Sequence, residues 1–150
     1  VSNTQAVATS FKVELLNGIH ALGTTVARGG TTADTFKAAL YLASATYNAS
    51  TTAYSATGEV SGTNYTAGGV TFTWVAPTSS GTTAYSTPSA SFSWTTVTLS
   101  TSFDAVLLYN STQSNKAVAV YTFGSQTVTA GNFTLTMPTN DSTNALLRLA

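Results

Sequence analysis

From residue 70 onward, apolar residues alternate with Thr and Ser in short runs: VTFTWV at 70–75, SFSWTTVTL at 91–99, AVAVYTF at 117–123 and FTLTM at 133–137. A period of two puts every second side chain on the same face of a pleated strand, so these runs read as half-buried strands. A helix needs a period near 3.6, and the pattern restricts this part of the chain to β structure. In the 91–99 run the phase slips between Trp94 and Val97. One extra residue near Thr95 and Thr96 would restore the inward face, which predicts a β-bulge there. FDAVLLY at 103–109 is apolar on both faces and reads as a central strand.

Turn chemistry then divides the chain. Residues 77–88, bounded by Pro77 and Pro88, read as a turn region, and residues 110–116 as a polar turn. Gly124-Ser125 fits a tight hairpin, with Gly at the first central position. Ala130-Gly131-Asn132 reads as another turn, Pro138 ends the strand before it, and ALLRL at 145–149 forms a last strand. Near the N-terminus, SFKVELLN at 10–17 has helical spacing. Phe11, Leu15 and Gly18 share a face with Leu16 and Ile19 beside them, Ser10 is placed to cap, and Asn17-Gly18 is placed to stop the helix. Residues 21–35 read as a loop with Gly29-Gly30 at its tip, and FKAALYL at 36–42 as a buried strand. The expected fold is all-β: a single-domain antiparallel β-sandwich or jelly roll over residues 1–150. It has seven or eight strands, a short N-terminal helix and a long Tyr/Thr-rich loop.

That loop follows Leu42 and runs to Gly68-Gly69 on Thr, Ser, Ala, Asn, Tyr and Gly, with no second apolar run. Long loops without secondary structure are functional or disordered, and this one has too little charge for ordinary disorder. The expectation is a loop ordered by contact, with another chain as a candidate partner. Only 7% of the residues are charged, against ~25% in typical soluble domains. Ser and Thr supply about a third of the chain instead. With five basic and five acidic residues and a formal net charge of zero, a free monomer would repel its own copies weakly. Such a surface suits an assembled protein. Lys12, Arg28, Lys37, Lys116 and Arg148 are scattered, which argues against a nucleic-acid partner. No apolar run approaches the ~18–20 residues of a membrane span, so no membrane partner is expected. Val1-Ser2-Asn3 suits a start after removal of an initiator Met, with no signal peptide in view. Cysteine is absent, which removes disulfides and thiolate metal sites.

Catalytic chemistry is sparse. His20, Asp34 or Asp104 and a serine can be drawn as a triad, but no G-x-S-x-G elbow exists, and His20 reads as a capping or surface residue. Glu59, inside the loop, is expected to pin it to backbone amides or to a Lys. Asp34, Glu59, Asp104 and Asp141 are far apart and form no calcium-loop motif, so no metal or cofactor is expected. Sequons at Asn48, Asn64, Asn110, Asn132 and Asn140 are what chance supplies in a chain this rich in Ser and Thr. Tyr41, Tyr47, Tyr54, Tyr65 and Tyr85 crowd the middle of the chain, where rigid aromatics among small polar residues make good contact surface. Trp74 and Trp94 alternate with Phe72 and Phe92 and read as core.

The block ALYLASATYNASTTAYSATGEVSGTNYTAGG, followed by LLYNSTQSNKAVAVYTFG and VTAGNFTLTMP, resembles a family of small virion structural proteins of tailed bacteriophages. SFKVELLNGIH and the closing ALLRL fit the same pattern, while residues 24–34 depart from it as an insertion. The resemblance implies a non-enzymatic capsid cement (decoration) protein on the outside of the head. Its partner would be the major capsid protein, it would be a homo-oligomer on the capsid surface, and it would be assembled in the bacterial host cytoplasm. No active-site residues come with the resemblance. Tyr47, Tyr54, Glu59 and Tyr65 are the expected protein-contact residues. A tail, spike or head-fibre subunit and a carbohydrate-binding or adhesin module are the competing expectations.

Overall fold

The computed structural model describes residues 2–24 and 32–150. The Gly29-Gly30 tip lies outside the described residues. In chain order the elements are β1 (Ala6–Val7), α1 (Thr9–Leu16), β2 (Phe36–Leu42), β3 (Val70–Phe72), β4 (Thr78–Ser80), β5 (Thr83–Ser86), β6 (Phe92–Asn110), β7 (Lys116–Leu135) and β8 (Leu147–Leu149). All pairings are antiparallel. One sheet has the order β1-β7-β6-β2-β3 and a second the order β4-β5-β8.

β6 and β2 lie inside the larger sheet, which is why their sequences are apolar on both faces. Residues 105–110 of β6 and 117–120 of β7 are buried without a break. On one face of β2, Phe36 stands opposite Phe72 and meets Trp74 edge-on, with the Phe92 ring packed at a tilt against Phe72 beyond. On the other face, Lys37 stands opposite Tyr109, and Tyr41 lies two periods further along. The 43–69 loop covers this second face.

The largest departure from expectation is in β6 and β7. Residues 92–99 and 103–109 belong to one 19-residue strand, and its partner runs unbroken for 20 residues. Gly124-Ser125 and Ala130-Gly131-Asn132 are not turns. They fall at register shifts in one long hairpin, where an extra residue bends the strand without ending it. Ala130 takes a positive φ of 44° there. Gly and Asn signal a change of backbone direction, and a bulge uses the same conformations as a turn. The bulge expected near Thr95–Thr96 is present: the register shifts between Trp94 and Val97, with Thr96 at φ 52°. The 77–88 region is also more regular than a turn, because it holds the β4–β5 hairpin.

The helix begins at Thr9 after an Ala8 N-cap with no side-chain cap bond. Ser10 does not cap, and its hydroxyl is buried without a partner. Tertiary contacts replace the cap: the Ala8 N–H donates to Val118 O at 3.0 Å and the Thr9 N–H to Ala49 O at 2.9 Å. Asn17 is the C-cap and Gly18 follows at φ 68°, as the sequence implies. Phe11 is the buried residue of the helix, whereas Leu16 is 90% exposed.

Candidate functional site

The loop from 43 to 69 is ordered by this chain's own contacts, and Glu59 is the hub. Tyr41 and Glu59 form a bridge that lays the loop against the end of β2, and the Val60 N–H donates to Leu40 O at 3.0 Å. The Glu59 carboxylate therefore faces the sheet. Its Oε1 accepts from the Tyr65 hydroxyl at 2.8 Å and the Gly68 N–H at 2.7 Å, and its Oε2 accepts from the Tyr54 hydroxyl at 2.7 Å. Tyr65 Oη in turn accepts from the Leu40 N–H at 3.0 Å. Tyr54 stacks on Tyr109, ring centroids 4.7 Å apart, and the Tyr109 hydroxyl donates to Gly68 O at 2.7 Å. The buried Tyr47 packs 3.8 Å from Tyr41, and its hydroxyl donates to Thr57 O at 2.8 Å. The Tyr41 hydroxyl donates to Ser55 O at 2.7 Å.

A carboxylate caged by hydroxyls and an amide acts on the phenols as well. Burial, then the hydrogen bond and charge of Glu59, pushes the Tyr54 hydroxyl well above the ordinary phenol range. Burial does the same to Tyr41 and Tyr65, and Glu59 adds to it. Tyr47 is raised chiefly by burial, and Tyr109 is pushed up to about 12 by burial and then by the Glu59 charge. These groups hold their protons, donate them inward, and fix the loop.

The other carboxylates are placed the same way. Asp104 Oδ1 accepts from Asn3 Nδ2 at 2.7 Å, and Asn3 also accepts the Tyr47 N–H, so the N-terminal segment is clipped to the sheet and the loop together. Asp141 receives the Thr143 and Asn144 N–H groups and the Asn144 side chain, which holds its carboxyl below the usual carboxylate range. Asp34 accepts from the Ala21 N–H at 2.9 Å and from Asn110 Nδ2 at 2.7 Å. Glu14 pairs with His20 at 2.7 Å and with Lys116 at 3.4 Å. All five acidic residues of the chain thus hold a segment in place.

His20 is buried, not a surface or capping residue, because its ring lies 4.7 Å from that of Phe11 and fills space beside β6. Its proton can be located from its neighbours. Asn110 Oδ1 accepts the Thr112 and Gln113 N–H groups, so Asn110 Nδ2 must face His20 Nδ1, at 3.0 Å. Nδ1 is then the acceptor, and Nε2–H donates to Glu14. Both ring nitrogens are engaged and neither meets a serine. Asp34 reaches His20 only through Asn110, and Asp104 lies with Asn3, so the triad drawn from sequence is not assembled.

Of the four expected contact residues, Tyr54, Glu59 and Tyr65 meet directly, and Tyr47 lies one ring away behind Tyr41. Sequence reasoning missed Asn3 and Asn110. Each looks like an ordinary polar residue near a loop, and only the buried surroundings of Asn110 reveal its role. Among the described residues no group of three or more His, Cys, Asp or Glu side chains could hold a metal ion. No described helix is long and apolar enough to cross a membrane. Open grooves among the described residues include one of about 370 Å³ between residues 70–73 and 89–93, and one of about 510 Å³ lined by Val7, Thr83, Ser142, Leu146, Arg148 and Ala150. Comparison with protein-family models, with curated proteins and with solved structures found no match.

Proposed function

We propose that this chain is a non-enzymatic capsid cement protein of a tailed bacteriophage. In this reading it binds the outside of the head and braces neighbouring major capsid protein subunits. The observation that carries the proposal is the braced loop. Glu59 and its tyrosines turn their polar atoms inward, so residues 43–69 present Thr, Ser, Ala and Gly to the outside on a rigid sheet. With all five carboxylates engaged within the chain, the outer surface is hydroxyl-rich and nearly neutral, which suits lasting contact with a shell more than life as a free monomer. The two antiparallel sheets would serve as the layers of a sandwich or jelly-roll platform, and the partly exposed edges of Tyr54, Glu59 and Tyr65, held in position by Tyr47, would rim the contact. The protein would be carried on the virion as a homo-oligomer after assembly in the host cytoplasm.

A tail, spike or head-fibre position would use the same surface. A carbohydrate-binding module fits less well, because glycan stacking needs an exposed ring and every Trp, Phe and Tyr here is buried or half-buried. Cryo-electron microscopy of particles carrying the chain tests the proposal. Density repeated over the joints between capsid subunits is the expected result. Density confined to a tail or a single vertex, or none on the particle, would overturn the cement role. Alanine at Tyr47, Tyr54, Glu59 and Tyr65 should lower occupancy, and unchanged occupancy would remove these residues from the contact.

A further inference from the structure

Between Glu59 and Asp104 the chain has no charged residue. This stretch supplies β3, β4 and β5, and two of them are sheet edges: among the described residues β3 pairs only with β2, and β4 only with β5. Lys or Glu side chains normally keep an edge strand from pairing with another chain, and these edges carry none. Along the outer side of β3 runs the 370 Å³ groove, walled by Val70, Thr71 and Thr73 on one side and residues 89–93 on the other. Phe72 and Phe92, buried and 4.9 Å apart, connect the walls.

The β4–β5 hairpin leaves from the end of this groove. Its neck is tied by the Val75 N–H to Thr87 O at 2.9 Å and by the Ser89 N–H to Thr73 O at 2.8 Å. Beyond the neck, residues 76–82, APTSSGT, are all exposed, and a Cβ added at Gly81 would meet nothing within 4 Å. Each copy therefore carries a projecting uncharged strand next to an uncharged slot with strand edges.

We propose that β4 of a second copy of this chain docks in the groove, with its Thr78–Ser80 edge along the outer edge of β3. The two edges match in length at three residues each. β4 is Thr-Ser-Ser, β3 is Val-Thr-Phe, and the groove walls add Thr73, Ser89, Ser91 and Ser93, so neither side brings a charge that the other must neutralise. An added strand lies ~4.8 Å from its neighbour and supplies the backbone partners that an edge lacks. An exchange in which each copy's β4 enters the other's groove closes as a two-fold dimer, whereas a one-way addition would grow as an open chain. The inference gives a geometry to the homo-oligomer of the proposed function and rests on that part of it, but the test uses the isolated chain, so the dimer can fail without the capsid role failing.

The absence of native cysteine makes the test clean. A chain carrying both Thr71→Cys and Ser79→Cys should form a reducible covalent dimer under mild oxidation, and either single variant should not. Light scattering of the unmodified protein should show a concentration-dependent rise from 15.4 kDa to twice that mass. Ser79→Glu, at an exposed position, should weaken the dimer by about ten-fold or more through a desolvated charge while the circular dichroism spectrum stays unchanged. A 15.4 kDa species alone up to ~1 mM would overturn the dimer. A dimer that Ser79→Glu leaves intact and the cysteine pair fails to trap would overturn its location.

Discussion

At the scale of the residue, the chain uses its few carboxylates as internal ties. Glu59 is the clearest case, because removing it leaves two tyrosine hydroxyls and the Gly68 N–H facing a void. Hydrogen bonds to a charged group contribute about 1.5–3 kcal/mol each, and their loss is not fully additive. Glu59→Ala should therefore lower stability by about 3–5 kcal/mol in urea unfolding, with amide exchange in residues 43–69 accelerating most. A change under 1 kcal/mol would mean that the cage does not hold the loop. The sequence marked Glu59 as a pin, since a lone carboxylate in an uncharged loop needs a donor. It named amides or a lysine as the partner. The tyrosine hydroxyls came from residues five positions before and six positions after it, which only the fold of the loop turns inward.

At the scale of the element, glycines show where the backbone leaves no choice. Gly69, at φ 76°, would place a Cβ 1.8 Å from Ala38 O and 2.7 Å from Ala39 Cα, so the loop returns to β2 with no room for a side chain. Gly69→Ala should cost about 4 kcal/mol or more, or abolish folding. Gly81→Ala, at φ 58° with open space around it, should cost only about 1–2 kcal/mol. Thermal melts of the two variants compare crowding with backbone strain directly, and similar losses would refute the crowding argument. Thr96 is the reverse case, a β-branched residue held at φ 52° in the β6 bulge. Thr96→Gly should raise stability by about 0.5–1 kcal/mol, the left-handed cost less the extra chain entropy of glycine. A destabilised variant would show that the Thr96 side chain makes a contact that offsets its strain. The bulge was legible in the sequence because the slip in hydrophobic phase locates it. The length of β7 was not, because Gly124 and Ala130-Gly131-Asn132 give one local signal for two outcomes, and pairing with β6 decides between them.

At the scale of the whole molecule, tyrosines set the response to alkali. Well below pH ~10 the phenols of Tyr41, Tyr54, Tyr65, Tyr109 and Tyr121 are protonated in both the folded and the unfolded chain, so these groups add no pH dependence there. Above it, the unfolded chain releases protons that Tyr41, Tyr54, Tyr65 and Tyr121 retain in the fold, and that Tyr109 keeps until about pH 12. The folded state then binds more protons, and stability falls as pH rises. Phenolate absorbance should therefore grow together with loss of near-ultraviolet circular dichroism in one cooperative step above pH 10. A smooth titration of these tyrosines at pH ~10 in a folded chain would contradict their burial. By itself the sequence determined the β class, the Phe36–Leu42 strand, the doubly buried run of β6, the bulge and the C-terminal stop of α1, because period-two patterning and local backbone preference are written in neighbouring residues. Only the tertiary structure decided that the long hairpin does not turn where its glycines suggest, that His20 is buried, and that Asn3 and Asn110 are structural bridges. Those outcomes depend on partners up to 101 positions away, and no local pattern encodes which distant group will satisfy a buried donor or acceptor.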